Sequence, residues 1–146
     1  MNWFNYYGLI VIAIILIPNI ISAVVDKGSI ANKYNNKAIL VLEQIGRYGC
    51  MAFMVFNIPH TYFNFWLDSG LIVYLIVNGT LLALYILGWI IFRKGHGAVK
   101  MLWLSVVPTM LFLLSGIMLL SIPLMFFSII FGIGHITISY NNRELR

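Results

Sequence analysis

The sequence predicts an all-α fold, a polytopic bundle of five transmembrane helices with its N-terminus outside and its C-terminus in the cytoplasm. Three observations lead there. The 146-residue chain is 62% hydrophobic and only 9% charged, against about 25% charged in soluble domains. Its mean hydropathy is +0.96 over the whole length, so most of its surface suits lipid better than water. Eight of its nine Lys and Arg residues fall in three clusters between or after long apolar runs. The clusters are Lys27, Lys33 and Lys37, then Arg93, Lys94 and Lys100, then Arg143 and Arg146.

A helix needs about 20 apolar residues to cross about 30 Å of hydrocarbon. The first candidate span covers about 3–25. Residues 1–7 carry no charged side chain, and the first Lys follows the apolar run. This segment therefore reads as a retained span rather than a cleaved secretory signal, which needs a basic region before its apolar core. The second span covers about 38–58 and stops at Pro59, and the third covers about 69–92. The stretch 101–140 is too long for one crossing, since about 40 helical residues reach about 60 Å. Ser121-Ile122-Pro123 supplies the break, because Pro lacks a donor and disfavours helix in the residue before it. The fourth span is then about 101–120 and the fifth about 124–140, joined by a tight turn. A re-entrant hairpin is the alternative for this last pair. The spans make one domain, 1–146.

With five spans and an outer N-terminus, all three basic clusters face the cytoplasm and the outer connections hold no Lys or Arg. That is the positive-inside pattern, and it points to a multi-pass protein of the cell membrane. Four spans would put Arg143 and Arg146 outside. Trp3, Phe4, Tyr6, Tyr7, Tyr62, Phe63, Phe65 and Trp66 would form an outer aromatic belt, with His60 to Leu67 lying along that interface. Trp89, Trp103, Tyr34 and Tyr140 would sit near the inner face. The basic residues flank apolar runs, so their expected partners are anionic lipid headgroups rather than nucleic acid. Cys50 is the only cysteine. No Cys/His spacing suggests a metal, and no cofactor is implied.

The ninth basic residue, Arg47, breaks the pattern. It lies within the second apolar run, one turn after Glu43. Helical spacing puts Glu43, Arg47, Cys50, Met54 and Asn57 on one stripe. An ionised side chain at mid-membrane costs roughly 2.5–3.5 kcal/mol, so such a stripe should face other helices. His135 on the fifth span and Asn19 on the first lie at similar depth, about 8–9 Å from the inner end, with Asn78 nearer the middle. Glu43, Gln44, Arg47, His135 and Asn19 are thus the expected lining of a polar pocket open to the cytoplasm, with Asn78 as a further candidate. Two plainer readings stand beside this one. Arg47 would mark the true start of the second span, with Glu43 and Arg47 in solvent on an amphipathic helix. Otherwise the polar groups, with Gly46, Gly49, Gly132 and Gly134, serve only helix packing.

The blocks Glu43-Gln44-Ile45-Gly46-Arg47-Tyr48-Gly49-Cys50, Phe56-Asn57-Ile58-Pro59 and Gly134-His135-Ile136-Thr137-Ile138-Ser139-Tyr140 resemble those of small, functionally uncharacterised polytopic bacterial membrane proteins. That resemblance covers most of the chain and implies no activity. Glu43 with Arg47, and Phe131 with His135, also look like parts of the two motifs of CAAX-type intramembrane glutamate proteases. In that family a first Glu activates water, and here Leu42 occupies its position. Size and span number resemble the five-helix tryptophan-rich sensory proteins, but their Pro- and Trp-rich loop motif is absent from Asp26 to Lys37. The leading expectation is a small transport or ligand-binding membrane protein. Arg47 would hold an anionic group, and Glu43 or His135 would take up a proton. The runner-up is an accessory or interaction subunit docking on a larger membrane partner. Besides lipid, the expected partners are a membrane protein or, as a homo-oligomer, further copies of the chain. An intramembrane hydrolase ranks third.

Overall fold

The computed structural model describes residues 3–25, 34–58, 65, 68–92 and 98–144. The helices are α1 Tyr6–Val25, α2 Lys37–Val55, α3 Gly70–Ile91, α4 Ala98–Met118 and α5 Ile122–Glu144. Among the described residues, α2, α3, α4 and α5 are each long and apolar enough to cross a bilayer, which marks the chain as membrane-embedded. α1 carries a shorter apolar stretch, Tyr6–Ile21. Lys27, Lys33, Arg93, Lys94 and Arg146 lie outside the described residues, as does the expected interfacial segment His60–Leu67 apart from Phe65.

The helices close into a ring. α1 packs on α2, α2 on α5, α5 on α4, α4 on α3, and α3 back on α1. α2 also touches α4 across the middle. The interior is filled by Cys50, Met54, Tyr74, Leu111 and Leu124, all fully buried. At one end the Tyr34 amide, just before α2, donates to Asn142 Oδ1 near the end of α5 at 3.0 Å. At the other end, residues 3–5 pair with 55–57 as a short antiparallel bridge. Asn5 N donates to Val55 O at 2.8 Å and Asn57 N to Trp3 O at 2.9 Å. These ties run α2 antiparallel to both α1 and α5, and the Asn78–Ser115 and Ser105–Ser139 contacts join α3 to α4 and α4 to α5.

Local chemistry sets the helix ends, and it corrects the sequence-based bounds. α2 starts one residue earlier than expected, because the Asn36 side chain accepts the Ala38 amide as an N-cap. It ends at Val55 rather than near residue 58. Phe56 turns extended (φ −107°, ψ 132°), since the bridge to residues 3–5 competes for the backbone groups that helix would use. That bridge also keeps Trp3 and Phe4 out of α1.

The α4–α5 connection differs in cause as well as position. α4 ends at Met118, where Leu120 N donates to Ile117 O (3.2 Å) and Ser121 N to Gly116 O (2.9 Å). These two bonds make a Schellman stop. It places Leu120 at φ +50°, a left-handed conformation that costs a branched side chain roughly 1–2 kcal/mol. Ser121 then opens α5, its hydroxyl accepting the Leu124 amide at 3.4 Å. Pro123 is therefore not the break. It lies in the first turn of α5, where a missing N–H costs no hydrogen bond.

Glycines set the α2–α5 distance. A Cβ on Gly46 would come within 2.4 Å of Phe131 N, and one on Gly134 within 2.8 Å of Glu43 Cα. Backbone thus lies against backbone along this seam. Gly132 faces the other way, against Thr109 of α4. Gly46→Val should cost about 1–3 kcal/mol by overpacking, read as a lowered thermal midpoint in detergent. Gly79, with no neighbour within 4 Å of its would-be Cβ, is the control. Gly79→Ala should be neutral or stabilising by up to about 1 kcal/mol.

Candidate functional site

The α2–α5 seam brings three of the predicted residues together. Glu43 is 2% exposed. Its Oε1 accepts from Arg47 Nη2 one turn further along α2. The same oxygen lies 3.1 Å from His135 Nδ1 of α5. An ionised carboxylate has only lone pairs to offer, so the facing Nδ1 carries the hydrogen when the carboxylate is charged. The imidazole is held from behind by Phe131, stacked at 4.7 Å between centroids with 19° between planes. Phe131 is fixed in turn because its backbone packs on Gly46. The absence of a side chain at Gly134, against the Glu43 backbone, lets the carboxylate and imidazole meet. Sequence spacing alone pairs Glu43 with Arg47. The partner from α5 depends on this close approach.

The three groups differ in access. The side chains of Arg47 and His135 are 37% and 24% exposed, while that of Glu43 is 3%. The carboxylate is thus shielded and its two partners form the approachable rim. Glu43 lies six residues into α2, about 9 Å along the axis from Lys37. The alternative in which Glu43 sits in solvent on an amphipathic segment does not fit its burial within the packed helix.

The remaining predicted residues are distributed differently. Asn19 is exposed on α1. It accepts a hydrogen bond from the Tyr85 hydroxyl of α3 at 3.0 Å and returns its own amide to Ile15 O at 3.1 Å. Asn78 is buried on α3, accepting from Ser115 Oγ of α4 at 2.8 Å and donating to Tyr74 O at 2.9 Å. Gln44 departs from expectation. One residue turns a helix by about 100°, and the side chain is exposed on the outer side of α2, away from Glu43. It lines an apolar groove of about 590 Å³ with Leu40, Tyr48, Ala52 and Phe127.

Some polar residues were not singled out by sequence reasoning. Asn5 is fully buried and donates to Met54 O at 3.1 Å and to the Tyr74 hydroxyl at 3.4 Å, tying α1 to α2 and α3. Its place one residue before an apolar helix is an N-cap signal that was available in the sequence. Ser115 carries no such signal, because a lone Ser in an apolar helix reads as neutral. Ser105 and Ser139 bond hydroxyl to hydroxyl across α4 and α5. Among the described residues, no group of His, Cys, Asp or Glu has the makings of a metal site.

Removing either partner of Glu43 tests the cluster's physical role. Arg47→Leu leaves a buried carboxylate without a fixed positive charge, a class of change that costs about 3–5 kcal/mol. His135→Leu leaves the Glu43–Arg47 pair intact and should cost less. The order of thermal midpoints in detergent checks this, with Arg47→Leu expected lowest. Comparison with protein family models, with curated proteins and with solved structures finds no match to this chain.

Proposed function

We propose that this chain is a small five-span protein of the cell membrane that binds or transports an anionic ligand with linked proton uptake. Its N-terminus is outside and its C-terminus cytoplasmic. Support for the topology comes from the three basic clusters, which this orientation places on one side. The alternating helix directions agree with it. In this reading the bilayer and its anionic headgroups are the immediate surroundings, and the site opens toward the cytoplasm.

The observation that carries the reading is the shared Glu43 oxygen, contacted by Arg47 and by His135 from another helix. With the carboxylate and guanidinium ionised and the imidazole neutral, the cluster sums to zero charge. An arriving anion would draw Arg47 outward, because its guanidinium has further N–H donors and is part exposed. The carboxylate would then lose a positive partner, and a proton on His135 would restore neutrality. Binding of an anion and binding of a proton would thereby favour each other.

A panel of organic anions tested on proteoliposomes containing a pH-sensitive lumenal dye checks this. Wild-type protein should couple proton entry to at least one anion. Glu43→Gln and Arg47→Gln, shown to be folded and inserted, should lose that flux by tenfold or more. Full activity in both variants would remove the reading.

A second reading is an accessory subunit that docks on a larger membrane protein. It is favoured by the way Glu43, Arg47 and His135 satisfy one another without a ligand, as a packing device would. Purification in mild detergent would then bring down a stoichiometric partner. An intramembrane hydrolase ranks below both, because Leu42 stands where a second carboxylate would be needed to activate water.

A further inference from the structure

α2 is polar on two faces. Its inner face carries Glu43 and Arg47. Its outer face, turned away from the ring, carries Gln44 and Tyr48 among Val41, Ile45 and Ala52. The outer face is open: Val41 is 57%, Ile45 53% and Tyr48 65% exposed. The groove beside it runs between this face and Phe127 of α5, with Gly49 and Ala52 as its small members.

Depth makes the polar groups significant. Gln44 and Tyr48 lie seven and eleven residues beyond Lys37, about 10 and 16 Å along a helix of about 28 Å. Among the described residues, neither side chain has a hydrogen-bond partner within the chain. Lipid tails offer an amide or a phenol nothing to bond. A protein surface at the same depth does.

We infer that this outer face of α2 is the interface of a homodimer in the membrane. The occupant is a second copy because the face is complementary to itself. Copies inserted with the same topology are related by a two-fold axis along the membrane normal, so each residue meets its own counterpart at equal depth. A Gln amide both donates and accepts, and so does a Tyr hydroxyl, so Gln44 pairs with Gln44 and Tyr48 with Tyr48. Ala52 allows close approach, and the groove beside Phe127 receives the aliphatic side chains of the partner helix. The dimer requires nothing of the Glu43 cluster, which faces the ring interior, so this inference stands apart from the proposed transport.

Cysteine cross-linking in native membranes tests it, in a Cys50→Ala background. Gln44→Cys and Ala52→Cys should each give an oxidant-dependent species of twice the chain's mass. Ile76→Cys, exposed on α3, should not. An equal yield from Ile76→Cys, no dimer from either α2 position, or an adduct with a different protein would overturn the inference. Subunit counting by single-molecule photobleaching of the unmodified-sequence protein in nanodiscs gives a readout free of substitutions in the interface. Two copies per particle are expected, and one copy overturns the dimer. Gln44→Leu with Tyr48→Phe should weaken dimerisation about tenfold. An unchanged dimer in that variant would likewise overturn the pairing.

Discussion

The backbone-to-backbone approach of α2 and α5 is the constraint on which the rest of the structure depends. It exists because Gly46 and Gly134 present no side chains where the two helices cross. In lipid, helices gain little from apolar contact as such, since lipid tails are as apolar as Leu. Close van der Waals packing and interhelical hydrogen bonds must do more of the holding. The Gly46 and Gly134 contacts supply the first, and the Glu43–His135 contact formed beside them supplies the second. With α5 seated on α2, α4 follows through the tight turn at 119–121, and α3 and α1 complete the ring.

Polar groups within the ring follow a common logic. Several sit where two or more elements meet and join them. Asn5 joins α1 to α2 and α3, Asn78 and Ser115 join α3 to α4, Asn19 and Tyr85 join α1 to α3, and Ser105 and Ser139 join α4 to α5. These are neutral and nearly self-contained, as packing bonds in a membrane protein are. The Glu43 cluster differs because it is ionisable and because two of its members reach the protein surface. Among the described residues, that combination singles it out as the interior group suited to respond to an external ligand or proton.

The outer face of α2 follows the opposite logic. Gln44 and Tyr48 are polar, exposed and, among the described residues, without a hydrogen-bond partner, on a helix long and apolar enough to cross a bilayer. A residue pattern that is unfavourable for one chain in lipid is explained when a second surface is added. In the proposed dimer the same helix serves two ends, holding the candidate site on one side and meeting a partner copy on the other.

Much of the architecture was legible in the sequence. Segment length against bilayer thickness located the helices, and the Glu43–Arg47 pair followed from four-residue spacing alone. Boundaries were less legible. The end of α2 depends on the bridge between residues 3–5 and 55–57, and the α4 stop depends on a left-handed Leu120 that no local rule favours. Gln44 was misplaced because neighbouring positions on a helix face different ways, and only the packing of α2 shows which way is in. His135 meeting Glu43 was a matter of depth in the sequence and of contact only in the fold. Hydrophobic length and charge placement are properties of single segments, so the chain by itself determines that it is helical and membrane-embedded. Which polar groups touch is set by how close two backbones come. That distance is decided by paired glycines 88 residues apart (positions 46 and 134), whose partnership exists only once the helices have packed.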